Sequence, residues 1–239
     1  MKLNLITYLA PSIPAEFFAL VAKHIEVSTG IPTSLVFEER ISGPLAGDDD
    51  PFLDGRADIG FVCAPSVRFL GDEVTVLPSP VPADPRANGR SVYFADVVVR
   101  ASSDAKSFDD LRGATWAYND ANSKSGWFSM LERAGGTHFF ARCVQSGSHL
   151  RSLEMVSAGD ADAAAIDSNV LRLHGRDDLR VIDSWGPFPI QPVVVRAALD
   201  DATKHGIAAA LLTMHEQHGA MLESFGFAKF AEADPAAYR

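Results

Sequence analysis

Residues 115–131, TWAYNDANSKSGWFSML, hold the pattern that decides the fold. Thr115 to Tyr118 reads as a short strand, Asn119 to Asn122 as a polar turn, and Ser125 to Ala134 as a helix stopped by Gly135 and Gly136. A strand feeding a helix through a tight turn is the repeating unit of an α/β fold. The same reading extends outward. Strands are predicted at Lys2 to Tyr8, Ser34 to Phe37, Asp58 to Cys63, Phe139 to Val144, Asp162 to Asp167 and Leu179 to Ile182. Between them, Pro14 to Ser28 carries Phe17, Phe18, Val21 and Ile25 on one helical face, with Ser12 placed to cap and Gly30 to end it. Ser107 to Arg112 reads as one capped turn closed by Gly113, and Ser148 to Ala158 as a helix with Leu150, Leu153 and Val156 inward.

Two β-branched runs, Ser91 to Arg100 (SVYFADVVVR) and Pro189 to Arg196 (PIQPVVVR), each follow a loop rich in Pro or Gly and form a matched pair. Read as strands passing between two lobes, they divide the chain into a discontinuous first lobe, 1–97 and 187–239, and a second lobe, 98–186. The hinge strands then fall near 91–98 and 186–194. Helices expected at Asp201 to His218 and Met221 to Ala231 would pack on the first lobe.

Composition narrows the function. With 47% hydrophobic residues the chain has material for a globular core. Its 21 Lys and Arg against 31 Asp and Glu leave a formal charge of -10, the wrong sign for tracking a nucleic-acid backbone. An anion site in such a chain must act locally, within a Debye length of about 8 Å. Cys63 and Cys143 lack metal or redox spacing and read as buried thiols. Of the seven histidines only His215 and His218 have metal-ligand spacing, on an exterior helix, so neither a metal nor a cofactor is expected. No stretch is apolar enough to span a membrane, and a monomer is expected. The opening MKLNLITYLAPS is too short and polar for a signal peptide, so either a leader has been removed or the protein acts in the cytoplasm.

The start of the helix after Asn122 carries the chemistry. Its first N–H groups have no intrahelical acceptor and the macrodipole is positive there, so Ser123, Lys124, Ser125 and Gly126 make a candidate oxyanion cradle. The serines offer hydroxyl donors and Gly126 lets a ligand approach the backbone; the plainer reading is a capped helix. Gly147-Ser148-His149 puts a second helix start and an imidazole at the same carboxyl rim of the sheet, where open α/β sheets bind ligands. Asp167, at the end of ADAAAID, either accepts a ligand amine, pairs with Lys124, or caps the next turn.

The segments YFADVVVR, SFDDLRGATWAYNDANSKSGW and SGSHLRSLEMVSAGDADAAAIDS resemble the phosphate, phosphite and phosphonate substrate-binding proteins of ABC transporters, and ADIGFVCAPSV resembles their first-lobe rim segment. The resemblance implies a type II periplasmic-binding-protein fold, two α/β lobes closing on a two-strand hinge around a small anion. It implies further that Ser123, Ser125 and His149 hold the anion from the second lobe, that Tyr93 on the hinge is another donor, and that Tyr8 faces them from the first. Lys124 departs from the small or apolar residue that relatives often carry between the two serines, and either adds a charge to the site or points into solvent. A permease partner and an extracytoplasmic location follow from the family.

Three rivals share these residues. Ser125, His149 and Asp167 have the types of a hydrolase triad, although no Gly-X-Ser-X-Gly elbow is present. Enzymes of the same fold that make a pyrimidine precursor of thiamine would suit a cytoplasmic setting. A ligand-sensing module would use the same pocket as a transport receptor.

Overall fold

The structure is a computed structural model and describes residues 1–38 and 43–238. In chain order the elements are β1 (Leu3–Thr7), α1 (Ala15–Thr29), β2 (Thr33–Phe37), β3 (Ile59–Phe61), α2 (Ala64–Leu70), β4 (Val74–Leu77), β5 (Ser79–Pro82) and β6 (Val92–Arg100). They continue with β7 (Thr115–Tyr118), α3 (Ser129–Ala134), β8 (Arg142–Gln145), α4 (His149–Ala158), β9 (Ala163–Asp167), α5 (Ser168–His174) and β10 (Leu179–Pro189). The last three are β11 (Val193–Arg196), α6 (Asp201–Ser224) and β12 (Phe227–Ala231). The α/β class is thus the one expected from the alternation of runs. The chain forms two compact units, Met1–Val92 with Pro189–Arg239, and Tyr93–Phe188.

The first unit is built on a sheet of order β2-β1-β3-β11-β4, with β1 parallel to both neighbours and β11 antiparallel to both of its own. Phe17 and Phe18 of α1, Phe61 of β3 and Phe227 of β12 pack edge-on or tilted with ring centres 4.7–5.7 Å apart, and Phe230 of β12 stacks on Phe17 at 6.3 Å. Asp58, nearly fully buried, accepts from Arg196 Nη2 at 2.6 Å and from the Asn4 amide at 3.0 Å, tying β1, β3 and β11 together.

The second unit is a sheet of order β10-β6-β9-β7-β8, in which β7 lies parallel to β8 and β9. Trp116 is its fully buried centre, and Phe108 stacks on Phe139 at 5.0 Å. α4 begins where Ser148 Oγ accepts the Arg151 amide at 3.1 Å and ends at Gly159 with φ 86°, a left-handed turn glycine adopts without a Cβ penalty.

Five local expectations give way. Ser12 does not cap α1: Pro14 holds the N-cap position without a side-chain bond, because Ile13 precedes a proline and is kept out of the helical region. Phe139 to Val144 is not one strand; Thr137–Phe139 is a 3-10 turn that drives Phe139 into the core, and β8 starts at Arg142. Leu179 to Ile182 is only the first third of β10. PIQPVVVR is not continuous either: β10 ends at Pro189 and β11 begins at Val193, since neither Pro189 nor Pro192 has an N–H to give a ladder. Finally, Met221 to Ala231 is not a helix. α6 runs on to Ser224, and FAKFA forms β12 against β5, where a register shift between Phe227 and Lys229 lets Phe227 and Phe230 both face inward. That bulge gives a strand the three-residue apolar spacing of a helix.

Candidate functional site

β8, β7 and β9 end on one edge of the second unit's sheet, and the segments leaving that edge carry the chemistry. β7 continues through Asn119 to Asn122 into a single π-type turn, Lys124–Phe128, that leads into α3. The Ser123 carbonyl accepts from both Trp127 N (3.2 Å) and Phe128 N (3.0 Å), the widened ladder of such turns, which are frequent at functional sites. The turn is pinned from three sides. Ser123 Oγ accepts the Gly126 amide at 3.0 Å, Asp120 Oδ1 accepts the Asn122 amide at 2.8 Å, and the indole N–H of Trp116 donates from the core to the Gly126 carbonyl at 3.2 Å.

Gly126 has a different role from the one expected. A Cβ there would lie 2.1 Å from Asn119 Oδ1, and the Gly126 amide is already used by Ser123. Asn119 Nδ2 donates to Asp120 Oδ2 at 2.8 Å, which fixes the orientation of the amide. The glycine therefore admits Asn119 behind the turn. Neither Asn119 nor Trp116 is singled out by the sequence, although the Asn-Asp pair at the end of a strand is the signal that could have found the first.

Ser125 and His149 do come together. Ser125 Oγ lies 3.1 Å from His149 Nε2 and 3.4 Å from Ser123 Oγ, giving a buried row of two hydroxyls and one imidazole. Ser146 Oγ, within 3.1 Å of the Tyr118 carbonyl and 2.7 Å of Ser152 Oγ, ties the end of β7 to the first turn of α4 and so sets where His149 stands. Burial drives the His149 pKa from 6.5 down to about 4, so the ring is neutral at physiological pH. Its Nδ1 is buried and meets no partner among the described residues.

These facts weigh against the hydrolase reading. An imidazole that takes a proton only near pH 4 is poorly matched to deprotonating a serine at pH 7, and no carboxylate orients its Nδ1. Asp167 serves instead as the cap of α5, accepting the Asn169 amide at 2.8 Å.

Lys124 lies apart from the row. Its ammonium is bidentate to Glu132, at 2.9 and 3.0 Å, and sits 5.0 Å over the ring of Phe188. Of the alternatives for Asp167, the cap of α5 is the one formed, and Lys124 pairs with Glu132. Tyr93 is buried, stands at the same sheet edge because Ala95 is in register with Asp167, and packs on Phe188 at 5.8 Å. In the first unit Tyr8 is 1% exposed at the end of β1 and its amide donates to the Phe61 carbonyl at 3.1 Å. The ADIGFVCAPSV segment there forms β3 and opens α2, with the Ser66 hydroxyl fully buried and without a partner among the described residues.

Among the described residues no three His, Cys, Asp or Glu side chains gather as a metal would require, and no helix is long and apolar enough to cross a membrane.

The family model for the periplasmic substrate-binding protein of ABC phosphonate transporters matches residues 6–238. No curated protein matches the chain. Among solved structures, a binding-protein component of an ABC phosphonate transporter from Pseudomonas aeruginosa is similar at TM-score 0.80 and 18% identity, over 99% of this chain and 83% of that one. PhnD1 from Prochlorococcus marinus, in complex with methylphosphonate, is similar at TM-score 0.80 and 15% identity, over 100% and 94%. A Xanthomonas citri protein bound to ATP is similar at TM-score 0.68 and 19% identity, over 99% and 92%.

Proposed function

Because the chain belongs to the family of ABC-transporter phosphonate periplasmic substrate-binding proteins, we propose that it captures a small phosphorus oxyanion (a phosphonate, phosphite or phosphate) for a cognate permease, and is not an enzyme. The observation that carries this reading is the buried row Ser123, Ser125, His149 at the rim of the second unit. With its Nε2 carrying the proton, His149 donates to Ser125, and the Ser125 hydroxyl keeps its own proton for the ligand. The amides of Lys124 and Ser125, which open the turn and have no acceptor within it, are the backbone donors next to those hydroxyls. Tyr93 and, from the first unit, Tyr8 would complete the shell, and the two chain crossings at Val92–Tyr93 and Phe188–Pro189 would act as the hinge on which the units close. An extracytoplasmic site of action accords with the family.

Calorimetric titration with methylphosphonate, phosphite and inorganic phosphate tests the reading. At least one should bind with 1:1 stoichiometry, and Ser125→Ala should weaken it by about 1–3 kcal/mol, the value of a hydrogen bond to a charged group. Equal affinity in wild type and variant would remove the row from the site.

A further inference from the structure

Lys124 occupies the first position of the turn that holds Ser125 and Gly126. Its side chain turns back across α3 to the carboxylate of Glu132, and its ammonium covers Phe188, the last residue of the second unit. Glu132 and Phe188 both line an open groove of about 390 Å³ between α3 and the end of β10, together with Ser129, Trp185 and Gly186. Phe188 in turn packs on Tyr93, and the Ser129 hydroxyl donates to the Lys124 carbonyl at 2.6 Å. Both ends of Lys124, carbonyl and ammonium, are thereby bound to α3, and the ammonium also reaches the end of β10 at Phe188.

We propose that Lys124 is a positioning residue for the anion-binding turn: it clamps the π-type turn onto α3 and the end of β10 and does not itself contact the ligand. This rests on the binding reading above, and it deepens it by assigning a role to the side chain between the two serines. A free ammonium beside the cradle would be an added cation for the anion. An ammonium already shared between a carboxylate and an aromatic face is a brace.

The two roles differ in sign when Glu132 is changed. Releasing Lys124 by Glu132→Gln should weaken methylphosphonate binding about two- to fivefold if Lys124 braces the turn, the worth of a half-exposed pair. It should strengthen binding if Lys124 is a ligand contact held in reserve. Lys124→Met should weaken binding to the same extent as Glu132→Gln, the double variant should be no worse than either, and Lys124→Arg should restore most of the affinity. Amide hydrogen exchange of ligand-free protein supplies a readout independent of any ligand. Residues 126–128, whose amides are bonded to Ser123, should exchange faster in Lys124→Met and Glu132→Gln while β7 and β9 keep wild-type protection. If no phosphorus oxyanion binds but exchange in the turn rises, the functional reading fails and the brace stands. Unchanged exchange in the turn, or tighter binding in Glu132→Gln, overturns the brace.

Discussion

Gly126→Ala isolates the packing behind the candidate site. The new methyl would stand 2.1 Å from Asn119 Oδ1, 3.3 Å from its Cγ and 3.4 Å from its amide nitrogen, so relief requires either rotation of Asn119 or displacement of the turn. Rotation of Asn119 gives up the 2.8 Å bond from Nδ2 to Asp120, worth about 1.5–3 kcal/mol for a carboxylate acceptor. Displacement strains the 3.2 Å bond from Trp116 to the Gly126 carbonyl and costs about 1–3 kcal/mol as overpacking. Alanine's better helix propensity returns about 1 kcal/mol. The net expectation is a destabilisation of about 0.5–2 kcal/mol, read from the urea midpoint at unchanged slope, and a larger proportional loss of anion affinity because Ser125 moves with the turn. Asn119→Ala removes the opposing oxygen, so the double variant should recover at least about 1 kcal/mol relative to the sum of the singles. Additive losses, or a Gly126→Ala protein with wild-type midpoint and affinity, would refute the account of this glycine.

Three further outcomes are expected. Ser125→Ala should lower the stability read from urea unfolding by about 1–3 kcal/mol, since it leaves the buried His149 N–H without its acceptor; collapse of the fold would assign Ser125 to structure. His149 should make stability depend on acid: its folded pKa of about 4 lies below the 6.5 of the unfolded chain, so its contribution is complete above pH 6.5 and is lost as pH falls toward 4, by about 3 kcal/mol in all. His149→Asn should flatten that window, and parallel profiles for the two proteins between pH 4 and 6.5 would refute the assignment. Saturation with a bound oxyanion should reduce the radius of gyration measured by small-angle scattering, whereas superimposable curves with a ligand proven to bind would rule out closure of the two units.

The sequence makes legible those features that depend on local order. The strand Thr115–Tyr118 has its expected bounds, Ser148 caps α4, Ser123 caps the turn it precedes, and Ser125 meets His149 as the two helix starts imply. Illegible features depend on what approaches from elsewhere. FAKFA looks helical because a bulge gives it helical spacing, and nothing local signals that its partner is β5. Gly126 looks like room for a ligand because the oxygen that fills its space belongs to Asn119, seven positions earlier. Lys124 looks like a cation for the anion because its competing carboxylate, Glu132, lies two turns further along the chain.

The electrostatic character of the row also argues for its use. A chain of net charge -10 repels a distant anion, so on the proposed reading capture would depend on groups that act at contact. Hydroxyls and a neutral imidazole are such groups: their strength is directional, and it grows in a buried setting where water does not compete. A permanently charged His149 would bind an oxyanion more tightly, but a receptor that must hand its ligand on gains nothing from a complex that does not dissociate. Burial, by lowering the pKa of His149 to about 4, keeps the ring neutral before the ligand arrives. An arriving anion favours the imidazolium, so binding should draw in a proton increasingly as pH falls, and the enthalpy of titration near pH 5 should vary with the ionisation enthalpy of the buffer. At pH 8 that dependence should vanish. Buffer-independent enthalpy at both pH values would mean that His149 keeps its neutral state throughout, and that hydroxyl and amide donors alone hold the charge.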